Sequence, residues 1–209
     1  MARYDVAPTR TNLLRVRRDL SFAREGYELL EQKREILILE LKRFTARAAE
    51  AQRKADAELA AAYEALRNAE LNEGISQTVY AAQAVNTEPL LALSERRIMG
   101  VALPAVRLSV KETKPHYGHT GTSVWTDEAR RRFTNALTAL GTLAESRISV
   151  VRLAREIEKT MRRVNALEKL LIPEYEETVQ YVESALEESE REAFSILKLV
   201  KDRLEERGR

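Results

Sequence analysis

From Leu13 onward, apolar residues recur at alternating steps of three and four: Leu13, Val16, Leu20, Ala23, Tyr27, Leu30, Arg34, Leu37, Leu41, Phe44, Ala48, Ala51 and Ala55. Only Arg34 interrupts the series. It drifts on through Leu59, Ala62, Leu66 and Ala69. A stripe of this period keeps to one side of a helix only if that helix winds, left-handed, about a partner. This is the strongest constraint in the chain. Pro8-Thr9 precedes the run, and Thr9 or Thr11 is placed to cap it. Asn72 and Gly74 close it, glycine being favoured just past a helix end. About 60 helical residues at 1.5 Å each would span roughly 90 Å.

A second long run follows. Thr126 is read as its cap, with Asp127 and Glu128 favourably placed in the first turn against the helix dipole. The expected seam is Leu137, Leu140, Ala144, Ile148, Val151, Ala154, Ile157, Met161, Val164, Leu167 and Leu171. It continues through Tyr175, Thr178, Val182 and Ala185, then Ala193, Ile196, Val200 and Leu204. Pro173 removes a backbone donor and crowds the carbonyl of Lys169, so a kink is expected there.

Two seams in one chain can bury against each other if the chain goes out, turns and comes back. The expected fold is all-α dominated: a long antiparallel left-handed two-helix coiled coil. A small region with a short helix and a β-hairpin separates the two helices. The expected divisions are 1–73, the first helix; 74–125, a foot; and 126–209, the second helix, kinked near Pro173. The foot holds Gly74, Gly100, Gly118 and Gly121 with Pro89, Pro104 and Pro115. Within it, 77–84 reads as a short helix. Residues 97–104 read as one irregular strand, 106–110 alternate weakly, and 120–125 could supply the hairpin's second strand.

Composition narrows function. Glycine and proline number 7 and 5 in 209 residues, and aromatics are 6%. The Ala/Leu/Glu/Arg-heavy remainder is that of long helices. Most of the glycines stand alone, so no phosphate-cradling loop can form around them. Cysteine is absent, which excludes disulfides, thiolate metal sites and cysteine nucleophiles. No run approaches the roughly 20 apolar residues of a membrane span, and the opening residues carry no signal-peptide core. A cytoplasmic location is expected. A net charge of +2 does not suggest a nucleic-acid binder. No nucleophile, base and orienting group fall into one constellation, so an enzyme is the least favoured class and no cofactor is expected.

Several features carry sharper and blander readings side by side. His116 and His119, near Glu112, lack a third clear metal ligand, and an ordinary loop is favoured. Glu187-Glu188-Ser189-Glu190 reads as a solvated or partner-facing surface, not a carboxylate site. Arg130-Arg131-Arg132 opposes the helix dipole and fits either an acidic partner or solvent. Arg34 either snorkels or fixes register. Glu50–Lys54, Glu158–Arg162 and Glu187–Arg191 are spaced for local ion pairs worth about 0.2–0.5 kcal/mol each.

One stretch is more specific than periodicity. Arg162-Arg163-Val164-Asn165-Ala166-Leu167-Glu168 runs into Ile172-Pro173, and Ala185-Leu186-Glu187-Glu188-Ser189-Glu190-Arg191-Glu192-Ala193-Phe194 into Lys198. Pro8-Thr9-Arg10 with Leu13, Gly26-Tyr27-Glu28-Leu29-Leu30 with Lys33-Arg34, and Ile98-Met99-Gly100-Val101-Ala102-Leu103-Pro104 add to it. Together these segments resemble the D subunit of rotary V/A-type ATPases and ATP synthases. The resemblance runs in order over nearly the whole chain.

That resemblance implies a non-catalytic central rotor shaft. The shaft would couple ATP synthesis or hydrolysis in a catalytic A/B-type hexamer to proton or sodium transport through a membrane ring. Implied partners are the hexamer, a small central-stalk F-type subunit and a membrane-rotor adaptor, without nucleic acid or membrane insertion. The complex would be membrane-bound, with this chain peripheral. Implied hexamer contacts are Arg10, Arg17, Glu187, Glu190, Arg191 and Lys198. Arg162, Arg163, Asn165, Glu168 and Pro173 are the shaft signature, and Ile98, Met99, Gly100, Leu103 and Pro104 the foot hairpin. A prefoldin-like coiled-coil chaperone is the alternative, though its chains are shorter. A membrane-curving helical module would need a one-sided basic face, which the mixed charges argue against.

Overall fold

A computed structural model describes residues 6–85, 89–110, 117–118 and 121–207, with side chains through Leu204. Its elements in order are α1 (Arg10–Glu73), α2 (Ile75–Gln83), β1 (Pro89–Ile98), β2 (Val101–Val110), α3 (Val124–Ala166), a π-helical turn (Leu167–Leu171) and α4 (Ile172–Arg207). The expected fold class is found: long helices packed together, with one antiparallel hairpin between them. The chain forms two compact units, residues 1–35 with 158–209, and residues 36–157.

In the first unit, Thr9 caps α1, its Oγ1 accepting the N–H of Asn12 at 3.2 Å. Val16 and Ala23 of α1 are buried, as are Thr160, Val164, Thr178 and Val182. Threonine is tolerated in this seam because its hydroxyl can turn back to its own helix. Thr178 donates to the Glu174 carbonyl at 2.6 Å. Helical structure continues through Pro173. The turn before it opens to the wider π pattern, which accommodates the missing donor and relieves crowding at Lys169.

In the second unit, Leu37, Phe44, Leu103, Leu153 and Ile157 form the main core cluster. Ala55, Ala139 and Leu143 form a second. The seam of α1 falls on the expected residues: Ala55, Ala62 and Ala69 are buried. The seam of α3 differs. Its buried series is Ala136, Ala139, Leu143, Ser146, Ser149, Leu153 and Ile157. Between 137 and 154 the expected series is therefore displaced by about one residue. Leu140, Ile148 and Val151 lie on an exposed stripe instead. Small residues win the seam because they let the two backbones approach closely. The buried serines cost little: Ser146 donates to the Thr142 carbonyl at 3.0 Å and Ser149 to that of Glu145 at 2.8 Å.

The hairpin is real, but its strands differ from those expected. Residues 97–104 are not one strand: Met99 and Gly100 form the turn, with φ of 48° and 83°. Two positive φ values in a two-residue loop match the twist of the flanking strands. Thr120, the first residue of the expected second strand, lies outside the described residues, and 121–125 supply no strand. Ser123 instead caps α3, its Oγ accepting the N–H of Trp125 at 3.2 Å. Thr126, the expected cap, is buried within the first turn. Ile98 pairs with Val101 and Pro89 with Val110, so the ladder is antiparallel and complete.

Candidate partner-binding surfaces

In the first unit, three ion pairs join α1 to α4. Arg10 meets Glu190 at 2.5 Å, Arg17 meets Glu183 at 2.5 Å and Arg24 meets Glu176 at 2.6 Å. Each step is one heptad forward on α1 and one heptad back on α4. Arg10, Arg17 and Glu190, expected as partner contacts, are thus engaged within the chain. The signal was present in the sequence as arginines at 10, 17 and 24 and glutamates at 176, 183 and 190.

Beyond Glu190 the surface changes. From Glu187 through Leu204 every described side chain is exposed, Phe194, Ile196, Leu197, Leu199, Val200 and Leu204 among them. Phe194 is 72% exposed. Arg191 lies 3.8 Å from Glu187 and 3.9 Å from Glu188, and Lys198 is exposed. Six large apolar side chains stand without cover on this one stretch of helix, the kind of exposure that marks interaction surfaces in general. Of the shaft signature, Arg162 pairs with Glu158, Arg163, Asn165 and Glu168 are exposed, and Pro173 is half-buried.

Arg34 and Glu31 form a half-buried ion pair in the seam, with Arg34 Nε and Glu31 Oε2 lacking further partners.

In the second unit, the hairpin residues divide by role. Leu103 is 1% exposed in the core, and Ile98 packs against the same cluster. Met99 and Gly100 are exposed at the turn, and Pro104 is half-buried. Arg47 and Arg96 each lie over the Phe44 ring, 5.5 and 5.7 Å from its centre. The outer edge of β2 is tied to α3. Val106 N–H donates to Glu145 Oε2 at 2.9 Å, and Arg152 Nη1 donates to the Ala102 carbonyl at 2.7 Å.

The start of α3 is locked to the end of α1 by a contact the sequence did not reveal. The Glu73 carboxylate accepts from Ser123 N–H and, at 2.6 Å, from Thr126 Oγ1. Burial pushes the Glu73 carboxyl up, but these hydrogen bonds outweigh it and hold the group below its ordinary 4.5. Nearby, Tyr117 donates to Asp127 Oδ1 at 2.6 Å. Burial and that carboxylate push the phenol up to about 12. Of the basic run, Arg131 and Arg132 both bind Glu128. The hydrogen bonds from Arg132 and Arg131 keep the Glu128 carboxyl below its usual range. A mostly apolar cavity of about 440 Å³ lies between the end of α1, α2 and the start of α3, lined by Leu66, Ala69, Thr78, Phe133 and Leu137 among others.

His116, His119 and Glu112 lie outside the described residues. Among the described residues, no three His, Asp or Glu side chains gather as metal ligands, and no helix is long and apolar enough to cross a membrane.

The family model for the ATP synthase D subunit matches residues 12–202. Among similar proteins is the A-type ATP synthase D subunit of Methanopyrus kandleri, 39% identical over 96% of this chain and 88% of that protein. The A-type D subunit of Thermococcus sibiricus is 38% identical over 96% and 95%. The V-type ATP synthase D subunit of Thermotoga neapolitana is 35% identical over 95% and 98%. A heptad-paired helical chain with a hairpin between its helices, matched along nearly its whole length, belongs to the D-subunit family of ATP synthases, a non-catalytic stalk component of the A/V-type complexes.

Proposed function

We propose that this chain is the central rotor shaft of its complex. The observation that carries the reading is the end of α4. Past Glu190, which faces Arg10 at the start of α1, the helix continues to Arg207 with its apolar residues uncovered. A surrounding ring of catalytic subunits would cover them. Contacts in a bearing must be many and individually weak, since one strong contact would trap a single angle. A helix end rich in apolar side chains and partly self-paired charges suits that need.

In this reading, the shaft couples ATP synthesis or hydrolysis in an A/B-type hexamer to proton or sodium movement through a membrane ring. The residues from 74 to 125 face the membrane rotor through an adaptor, and a small F-type subunit is carried alongside. The chain works at the cytoplasmic face, peripheral to the membrane, and the Pro173 region gives the shaft its bend. Arg10, Arg17, Glu187, Glu190, Arg191 and Lys198 are proposed to line the hexamer side.

The test is reconstitution with the catalytic hexamer, reading ATP hydrolysis, rotation of a bead on the shaft and ion pumping. Truncation after Glu190 is expected to leave a folded chain that enters the hexamer weakly and delivers less torque. Full torque from the truncated shaft would overturn the reading. So would loss of all hydrolysis from a single alanine at Glu187 or Arg191, which would point to a catalytic residue.

A further inference from the structure

The two edges of the hairpin are treated differently. Around the two-residue turn, Ile98 and Val101 are the first bonded pair, so Ile98, Arg96, Ser94, Ala92 and Leu90 direct their backbone groups toward β2. Leu91, Leu93, Glu95 and Arg97 therefore direct theirs outward. On β2 the same alternation turns Ala102, Pro104, Val106, Leu108 and Val110 outward. From Ala102 to Val106, the half of that edge nearest the turn, the backbone is managed: Ala102 and Val106 bond α3 side chains, and Pro104 has no donor to satisfy. On β1, the backbone groups of Leu91, Leu93, Glu95 and Arg97 have no described partner.

Of the features that normally block pairing, this edge carries charged residues only toward its turn end, at Glu95, Arg96 and Arg97. β1 is ten residues long, and no proline or lysine interrupts it beyond Pro89 at its start. Leu91 and Leu93 are 55% and 70% exposed. Along one face the edge reads apolar, apolar, acidic, basic. We propose that the outer edge of β1, from Leu91 to Arg97, accepts an extended strand of a partner subunit as a third, antiparallel strand of the sheet. This rests on the chain working in the assembly described above.

The occupant follows from the side chains. Opposite residues in an antiparallel pair touch, and opposite charges or matched apolar groups there are favourable. The partner strand places an acidic residue against Arg97, a basic one against Glu95, and apolar residues against Leu93 and Leu91. Read along the partner, the pattern is acidic, any, basic, any, apolar, any, apolar. A second copy of this chain fits poorly. Paired antiparallel along Leu91–Arg97, it would set Leu91 against Arg97 and Leu93 against Glu95.

The test is hydrogen exchange, resolved by residue, on the isolated chain and on the assembled complex. The amides of Leu91, Leu93, Glu95 and Arg97 are expected to exchange at least about tenfold more slowly in the complex. Those of Ser94 and Arg96 report that the hairpin itself is intact. Assembly with unchanged exchange at the four outward amides overturns the pairing alone. Failure to enter any complex overturns the shaft reading and the pairing with it. Slowing that appears on merely concentrating the isolated chain overturns the partner in favour of a second copy. Leu93→Pro removes one outward donor at an edge position that tolerates proline, whereas Leu93→Thr keeps it. If Leu93→Pro holds its neighbours as well as Leu93→Thr does, with Ser94 and Arg96 protected in both, the strand pairing is wrong.

Discussion

Arg17 Nη2 lies 2.5 Å from Glu183 Oε1, and Arg10–Glu190 and Arg24–Glu176 repeat that contact one heptad to either side. Three such rungs fix the antiparallel register of this part of α1 and α4. All are at least partly solvated, so each is worth about 0.2–1 kcal/mol. Glu183→Ala is expected to lower the melting temperature only slightly, and less at high salt. Reversing all three glutamates to lysine places like charges on every rung. That variant is expected to lose clearly more stability at low salt and to recover part of it as salt rises. Thermal denaturation followed by circular dichroism, at low and high salt, reads both effects.

The seam of α3 can be checked by two truncations. Leu153 is fully buried against Leu37 and Phe44, whereas Ile148 is 45% exposed. Leu153→Ala is expected to cost about 2–5 kcal/mol through lost burial and a cavity. Ile148→Ala should stay within about 0.5 kcal/mol in the isolated chain. Urea denaturation of both variants measures this, and the reverse order would restore the seam first expected.

Glu73 makes the closure between α1 and α3 sensitive to acid. Its folded carboxyl titrates below the unfolded value, so its contribution is fully present above about pH 4.5 and fades as pH falls through the lower folded value. Glu73→Gln keeps the size and an accepting oxygen but loses the charge, and should cost at most about 1 kcal/mol at neutral pH, since the group is largely solvated. The gap between the two proteins should hold from pH 7 to about 5 and narrow below 4.5. A gap independent of pH down to about 3 would show that the carboxylate's charge does not matter there.

Pro173→Ala returns an N–H to the first turn of α4. The expected result is tightening of Leu167–Leu171 toward ordinary α-helix and a gain in stability, since the missing helix hydrogen bond is restored. Amide exchange at the substituted position and its neighbours, together with thermal denaturation, follows both. In the assembled complex the same change is expected to reduce coupling between hydrolysis and ion movement, read as ATP consumed per ion pumped.

Much of this fold could be read from apolar spacing alone. The α1 seam, its cap at Thr9, its end before Gly74 and the antiparallel return all follow from periodicity and glycine placement. The α3 seam did not, because periodicity weighs leucine, isoleucine and valine above alanine and serine. Here close backbone approach selects the small residues, and serine hydroxyls satisfied inside their own helix become acceptable core. The hairpin's position was masked for a related reason: Met99 gives no hint of a positive φ, and only Gly100 beside it marks the turn. The Glu73 lock joins residues some fifty positions apart, a pairing that no local pattern encodes. The arginine and glutamate heptads, by contrast, lay open in the sequence. They were legible only as surface charge until the two helices were set side by side.

The π turn at Leu167–Leu171 has a consequence for how this chain can vary in length. In an α-helix each residue advances the side chains by about 100°, so one inserted residue would rotate everything after it off the seam. The π pattern holds such an excess: over Leu167–Leu171 each backbone hydrogen bond closes one residue later than in an α-helix. The wider turn holds the surplus residue as a bulge and returns the helix to its former azimuth. Phase and length are therefore uncoupled at this one place. Loss of one residue within 167–171 can leave Thr178 and Val182 facing inward, while the same deletion a few turns later, just before Glu183, would swing the Arg17 and Arg10 partners on α4 out of reach.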